Sequence, residues 1–518
     1  MLSIFAAVYT NWATFKEWNT YGWLTSNRDI NAYGLRYLPE SVVRSPTTPN
    51  HPSCAAKSQM YLKHNHTTFL LCDPIKVQIN MYDVNGYRKL TGGDFLRVWM
   101  EDRKSNASVS GDVTDFNNGS YGAVIKATWA GHAIIRALIN TRKEEIVLQY
   151  KIFDEYGSLW NVHATFVKNQ LSETTTCSTK QPSPLTQPEW CNLTLENSGL
   201  PWYCRRPSIA NLTCDTWSYS HSSGVSFKLN NTERDILQWS RKDPTPDILP
   251  VTIKVLLINE DNKTTLTPPA TPCSRMPPKA TWHRVSPTGF FHNNTWHPLQ
   301  CTDTLPRTAA AYRKCLKGKT IWLHGDSTSA QFKQSLHSFL HFPSHGHGHM
   351  PVTDTDTTYN FSVSWRAHEM PFYHGSTRYP RIAEKAQHLV LESLPDTSSD
   401  IVVLYLYVHF TVVHPDVFRQ HVRRIVPPAR KLLARAPNVT LAVRGPHTFV
   451  RSSKGLSSYW GLIHTDILHQ EFSSLHHRVV YLNFWDLTMA RPSYGSHPDK
   501  SIIQHMVHNM MSFVCFRT

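Results

Sequence analysis

The sequence predicts a multidomain protein: a β-sandwich near the N-terminus, a disulfide-stapled connector, and an α/β domain built on a parallel sheet. Three observations carry this expectation. Between residues 68 and 152, short alternating segments are separated by glycine turns. Between 166 and 285, five cysteines and many prolines interrupt any core-forming period. From 286 onward, apolar strands alternate with helical patterns. The expected boundaries are an extension over 1–60, the sandwich over 61–165, the connector over 166–285 and the α/β domain over 286–518. A length of 518 residues fits about three domains. At 40% hydrophobic and 18% charged residues the chain has ample core and is not disordered.

In the first domain the expected strands are 68–71, 77–82, 95–100, 121–128, 133–139 and 146–152. The turns are Asn85-Gly86, Gly92-Gly93, Asn118-Gly119 and Ala130-Gly131. Short strands at this spacing read as a sandwich. The run GDVTDFNNGSY from Gly111 to Tyr121, followed by a strand and Trp129-Ala130-Gly131, resembles the signature of filamin-type immunoglobulin-like repeats. The connector has no evident core and is expected to drape on its neighbours.

In the last domain, strand 320–324 precedes helix 329–339. Strand 401–408 precedes helix 416–436, which Pro427-Pro428 is expected to break or kink. Strand 439–444 precedes helix 456–472, and strand 479–484 leads through a loop to helix 501–513. In that final helix Ile503, Val507, Met510, Met511 and Val514 form one apolar face, which core packing explains. Nearly continuous apolar strands with crossover helices specify a parallel sheet covered on both faces, with ligands at the carboxyl ends of its strands.

Lys plus Arg exceed Asp plus Glu by 53 − 38 = 15. No zinc-finger spacing or basic helix with heptads accompanies that charge, so nucleic acid is not an expected partner and acidic glycans fit better. The basic set Arg419, Arg423, Arg424, Arg430, Lys431 and Arg435 reads mainly as a solvated helix face. The ten cysteines form no C-x-x-C pair, which argues against zinc or a thioredoxin-type site. Ten N-x-Ser/Thr sequons, at Asn65, Asn106, Asn118, Asn192, Asn211, Asn230, Asn262, Asn293, Asn360 and Asn438, join the even cysteine count in favouring an oxidising, glycosylating compartment. The expected location is the secretory pathway, as a secreted or Golgi-lumenal protein. Residues 2–9 are apolar but short and lack a positive flank, so either the true start is missing or the signal is atypical. No later run reaches about 18 apolar residues. His345, His347 and His349 alternate with glycine and lack a fixed fourth ligand, so no metal site is expected there.

The stretch with most chemical content is Gly325-Asp326-Ser327, at the end of a β-rich run and the start of a helix. This layout stands a serine hydroxyl at a strand's carboxyl end, beside helix N–H groups able to stabilise an oxyanion. His497 in Gly495-Ser496-His497-Pro498 offers a base. Blander readings stand beside these. Asp326 ties its loop by hydrogen bonds, Ser327 is only a turn residue, His497-Pro498 marks a helix start, and His409 is structural.

Eight segments together resemble the neurexophilin and PC-esterase domain (NXPE) family. They are Gly93 to Arg97 (GDFLR), Gly111 to Tyr121, Trp202 to Pro207 (WYCRRP), Thr295 to Cys301 (TWHPLQC), Lys314 to Lys319 (KCLKGK), Gly325 to Ser327, His409-Phe410, and His497-Pro498. They span roughly residues 70–518 in the family's order. The resemblance implies a neurexophilin-like, immunoglobulin-like domain and a C-terminal domain of the SGNH-hydrolase type. That superfamily includes esterases and O-acetyltransferases that decorate glycans, with sialic acid a candidate acceptor. It implies Ser327 as nucleophile, its N–H and Gly325, Asp326 and His409 as oxyanion or substrate contacts, and His497 as base. No bound cofactor is implied, only an acetyl donor such as acetyl-CoA for a transferase. The expected partner is a glycan or glycoprotein acceptor. The alternative is a secreted, catalytically inactive glycoprotein that binds a cell-surface partner through its sandwich.

One departure bears on mechanism. The superfamily's D-x-x-H spacing would place Asp at 494, where this chain has Tyr494. Three readings remain open: Asp486 supplies the orienting carboxylate, a backbone carbonyl holds the ring in a Ser–His dyad, or catalysis is lost.

Overall fold

The computed structural model describes residues 51–517, apart from 184–188, 226–228, 244–246, 258–264, 267–268, 344–350, 368–385 and 451–454. The extension 1–50, Asn262 and the histidines at 345, 347 and 349 lie outside the described residues.

The sandwich contains β1 (Gln59–Leu62), β2 (Thr68–Leu70), β3 (Pro74–Asn80), β4 (Phe95–Asp102), β5 (Ala107–Asp115), β6 (Ser120–Lys126) and β7 (Gly131–Thr141). Strand β5 joins the two layers. Its residues 107–110 pair with β4, and its residues 111–115 pair with β6. Ile75, Val77, Ile79, Val98, Val109, Ile125 and Ile135 pack between the layers. The turn glycines meet the geometry expected of them: at Gly119 φ is +73° and an added Cβ would lie 2.0 Å from the Lys89 carbonyl oxygen.

The expected strand at 146–152 is instead helix α1 (Lys143–Tyr156). A short apolar run is ambiguous between the two periods. Here the local signals decide for a helix. The Glu145 carboxylate accepts from the Arg142 N–H at 3.0 Å, Glu144 and Glu145 sit in the first turn, and Gly157 at φ +82° ends the helix.

The segment read as a connector is more structured than expected. Strands β8 (Trp160–Lys168), β9 (Leu171–Ser178), β10 (Trp190–Asn192), β11 (Tyr203–Arg205) and β12 (Trp217–Val225) form a five-stranded antiparallel sheet. Cys177–Cys204 and Cys191–Cys214 staple it. It has no separate core: Phe166, Trp202 and Trp217 join the cluster that also holds the helices of the α/β domain. Strand β13 (Asp247–Leu256) belongs to the sandwich, paired with β7 and β2. The hairpin β14 (Gly289–His292) and β15 (Thr295–Pro298) packs on β5.

The α/β domain continues with α2 (Ala309–Leu316), β16 (Thr320–Gly325), α3 (Ser327–Leu340), β17 (Val352–Asp356), β18 (Phe361–Ala367), α4 (Gln387–Ser393), β19 (Ile401–Tyr405), α5 (Pro415–Arg435), β20 (Thr440–Arg444), α6 (Trp460–Glu471), β21 (Val480–Leu482), α7 (Trp485–Ala490) and α8 (Lys500–Val514). The sheet order is β17-β18-β16-β19-β20-β21, parallel throughout except at the edge strand β17. Alternate residues face opposite layers. Val402, Leu404, Leu441 and Val443 pack under α5 and α6, while Ile401, Val403, Ala442 and Val480 pack under α3 and α8. The apolar face expected on α8 is buried at all five positions.

Helix α5 is not broken by its prolines; it runs 21 residues with Pro427 and Pro428 inside. An interior proline costs about 3 kcal/mol. Burial of Val417, Phe418, Val422, Ile425, Val426, Leu432 and Leu433 along one stripe offsets that cost. The basic face of α5 is also more engaged than expected. Arg419 is buried against Glu471 and Gln470, and Arg435 reaches Asp396 and the Leu394 carbonyl.

Eight of the ten cysteines form bridges; Cys273–Cys301 and Cys315–Cys515 complete the set, and Cys54 and Cys72 are free. Among the described residues no helix is long and apolar enough to cross a membrane.

Candidate functional site

In the parallel sheet the chain leaves β16 in one direction to reach β18 and returns on the other side to form β19. The strand order therefore reverses between β16 and β19, and open α/β sheets place their ligand crevice at such a point. Gly325, Asp326 and Ser327 lie there, each for a separate physical reason.

Gly325 ends β16 where strand and helix converge. An added Cβ would sit 2.5 Å from Ser329 Oγ and 2.7 Å from the Tyr405 carbonyl oxygen. Asp326 caps α3: its Oδ1 accepts from Thr328 N at 2.8 Å and from Thr328 Oγ1 at 2.7 Å. Its Oδ2 accepts from Val408 N at 3.0 Å, which ties the loop after β19 to the serine turn. Asp326 is buried and occupied by these bonds, so its place is structural and not the oxyanion or substrate contact expected of it. Ser327 is the first residue of α3. Its N–H lies in the turn that has no intrahelical acceptor, at the positive end of the helix dipole.

Ser327 Oγ and His497 Nε2 are 2.7 Å apart, although 170 residues separate them in sequence. The pair is open to solvent: Ser327 is half-buried and His497 exposed. His497 follows the last parallel strand by way of α7 and a loop held by backbone bonds. Val450 N donates to the Ser493 carbonyl at 2.8 Å, and Gly495 N donates to the Val450 carbonyl at 2.9 Å. Gln331, one turn after Ser327 on α3, donates to the Pro498 carbonyl at 3.0 Å. His447 Nε2 lies 2.9 Å from the Ser496 carbonyl.

Asp486 is not the orienting carboxylate. It is buried on α7 against the sandwich, where Oδ1 accepts from Ser110 Oγ and Ser286 Oγ at 3.0 and 3.2 Å, and Oδ2 from Thr288 N at 2.8 Å. The residues after β21 fold into a short helix, and that helix turns the carboxylate toward β5 instead of the serine. Burial raises its pKa. Asp112, across the interface on β5, is raised to about 6 by burial, with the Asp486 charge adding. Among the described residues neither a carboxylate nor a backbone carbonyl binds the His497 ring. Tyr494, at the position where an aspartate was sought, is exposed. His409 lies half-buried in the turn Val408–Val412, one residue past the Asp326–Val408 bond.

Sequence reasoning passed over four residues at this site: Arg97, Gln331, Arg444 and His447. Arg444 ends β20 fully buried, its guanidinium 3.8 Å from the Tyr405 ring and 4.0 Å from that of Phe332. His447 is fully buried just after it, with Nδ1 2.6 Å from the Tyr405 hydroxyl. Arg97, in the Gly93-to-Arg97 segment, is also fully buried and crosses from the sandwich. Its Nε donates to the Met489 carbonyl at 3.0 Å and its Nη2 to Thr448 Oγ1 at 3.1 Å. Burial lowers its pKa to about 9. Position at the end of a parallel strand was the signal available for Arg444 and His447, and membership of the Gly93-to-Arg97 segment was the signal for Arg97; Gln331 had none.

The fold and site define a β-sandwich joined to an α/β domain that carries a serine–histidine pair at the switch point of a parallel sheet. The family described as NXPE family member 4-like, C-terminal domain, matches residues 296–515. That match supports NXPE family membership for the C-terminal α/β domain. Among solved structures, the crystal structure of the Lin-41 filamin domain is similar at 14% identity, covering 17% of this chain and 82% of that chain, with a TM-score of 0.15.

Proposed function

We propose that the chain is a lumenal acyl-transfer enzyme that moves acetyl groups to or from glycan hydroxyls, with sialic acid a candidate acceptor. The observation that carries the reading is the 2.7 Å contact between Ser327 Oγ and His497 Nε2 at the N-terminus of α3. In this reading His497 Nε2 takes the Ser327 hydroxyl proton as Oγ attacks the acyl carbonyl. The Ser327 N–H stabilises the oxyanion, with His409 on the adjoining turn as a second donor or acceptor-sugar contact. Collapse expels the donor's thiolate or alkoxide, which takes the proton from His497. A sugar hydroxyl then gives its proton to His497 and attacks the acyl-serine, forming the new ester and restoring Ser327. Water in place of the sugar makes the same site an esterase.

A thioester such as acetyl-CoA suits the donor role. The nine described sequon asparagines are all exposed and four disulfides are formed, which supports passage through an oxidising, glycosylating compartment. A second reading, a secreted binding protein that engages a cell-surface partner through its sandwich, is favoured by one observation: the His497 ring has no carboxylate partner among the described residues.

A fluorophosphonate probe separates the two. Labelling confined to Ser327 and abolished by Ser327→Ala and by His497→Ala supports the enzyme. Absence of labelling in folded wild-type protein, together with no transfer of acetyl from acetyl-CoA to a sialylated glycan, leaves the binding reading.

A further inference from the structure

His447 stands where its chemistry is tightly determined. A carbonyl oxygen only accepts, so the bond to Ser496 requires the proton on Nε2, and Nδ1 must then accept from the Tyr405 hydroxyl. Both ring nitrogens are committed and the tautomer is fixed. Burial, and then the neighbouring Arg444 guanidinium, lower the imidazole pKa to about 3, so the ring stays neutral over the range in which enzymes work. Arg444 is itself clamped between the Phe332 and Tyr405 rings, and Tyr405 and Arg444 are register partners on adjacent strands. The base of this assembly is therefore the rigid carboxyl end of the sheet.

Its upper end is the loop that carries the base. Ser496 is held from below by His447 and Pro498 from the nucleophile's own helix by Gln331, one handle on each side of His497. The next residue, Thr448, is bound by Arg97 of the sandwich and by Thr488 of α7, so the His447 segment is fixed from a third direction.

We infer that His447 is a positioning residue: its single N–H on the Ser496 carbonyl, with Gln331 on Pro498, holds the His497 imidazole against Ser327 through the backbone. This is the task a carboxylate performs on the ring in a triad. The inference rests on the acyl-transfer reading of Ser327 and His497. It differs from a carboxylate in kind, because it fixes where the ring is without stabilising its charged form.

The test uses the full chain and the rate of Ser327 labelling by a neutral fluorophosphonate. His447→Phe keeps a planar ring and removes the N–H. It is expected to slow labelling about 100-fold, the cost of displacing a reacting group by about 1 Å. His447→Gln places an amide N–H near the reach of Nε2 and is expected to recover most of the rate. A role in folding alone would move the unfolding midpoint and leave the rate of the folded fraction unchanged. Gln331→Met removes the second handle from a partly exposed helix position and is expected to slow labelling about 10-fold.

Folded His447→Phe protein that labels at the wild-type rate overturns the inference. Should His447→Phe fail to fold, wild-type labelling by Gln331→Met overturns it instead. If wild-type protein is not labelled, or labels equally after His497→Ala, the acyl-transfer reading falls and the positioning role falls with it. That outcome is distinct from a labelled enzyme indifferent to His447.

Discussion

Gly325→Ala should disable the serine–histidine pair by a displacement that can be worked out from the structure. The new Cβ would meet Ser329 Oγ at 2.5 Å, the Tyr405 carbonyl oxygen at 2.7 Å and Tyr405 Cβ at 2.9 Å. The serine hydroxyl can rotate away. The Tyr405 carbonyl cannot, because it ends a strand paired on both sides and accepts from Gln387 Nε2 at 3.3 Å. Ordinary contact begins at 3.4 Å, so the end of β16 must move about 0.7 Å (3.4 − 2.7) from Tyr405. Two residues on, that shift acts on a 2.7 Å hydrogen bond whose useful range ends near about 3.2 Å. The overpacking should cost about 1–3 kcal/mol in stability. Fluorophosphonate labelling should fall by about 10-fold to 100-fold. Urea unfolding followed by tryptophan fluorescence reads the first quantity, and the labelling rate reads the second. Ser329→Ala alone should be mild. Combined with Gly325→Ala it should not restore labelling, since the backbone oxygen remains. A Gly325→Ala protein with the wild-type midpoint and labelling rate would refute the reasoning.

Four further outcomes are expected. Asp112→Asn should stabilise the protein above pH 6. The folded carboxyl is raised from 3.8 to about 6, so the folded chain binds more protons than the unfolded chain in that window and stability falls as pH rises through it. Such a shift carries about 3 kcal/mol, which screening at a partly exposed side chain reduces to about 1–2 kcal/mol; denaturant midpoints from pH 4 to 8 should show a flatter profile in the variant. Replacing Cys315 and Cys515 by alanine should cost about 5 kcal/mol on loop entropy, against about 3.5 kcal/mol for Cys177 and Cys204, because the closed loops are 200 and 27 residues long; an equal or reversed order of midpoints would contradict that account. Asp486→Asn should leave the labelling rate within about 3-fold of wild type, since this carboxylate binds Ser110, Ser286 and Thr288 and not His497. Residues 286–518 expressed alone should not unfold cooperatively, because β14 loses β5 and Trp460 loses its 2.6 Å bond to Gln149.

The strand-helix alternation after residue 286 was legible because each apolar run there is long enough to span the sheet and is flanked by helix-forming sequence. Strand ends were read too long by up to three residues, as at 401–408, where the chain after Tyr405 turns into the loop that meets Asp326. The helix at 143–156 was missed because Ile146, Leu148, Ile152 and Phe153 satisfy either period over so short a run. Strand β5 was missed because its residues alternate only weakly between apolar and polar, and it changes partner sheet at Gly111. Asp486 was nominated by distance along the chain, and such distance does not say which way a short helix turns its side chains.

Sequence alone pointed to a β-rich first half followed by an α/β domain with a parallel sheet, to the placement of Gly325, Asp326 and Ser327 at a strand-to-helix turn, and to most cysteines being bridged, though not to which pairs with which. These rest on local periodicity, turn chemistry and residue counts, which are properties of neighbours in sequence. The family resemblance nominated Ser327 and His497 as partners; only the tertiary structure decided that the carboxylate at 486 faces the sandwich and that His447, Gln331 and Arg97 converge on the loop that carries His497. Those contacts join residues 167 to 392 positions apart or sit on loops with no period of their own. Their geometry is set by where the sheet ends, and no local pattern carries that information.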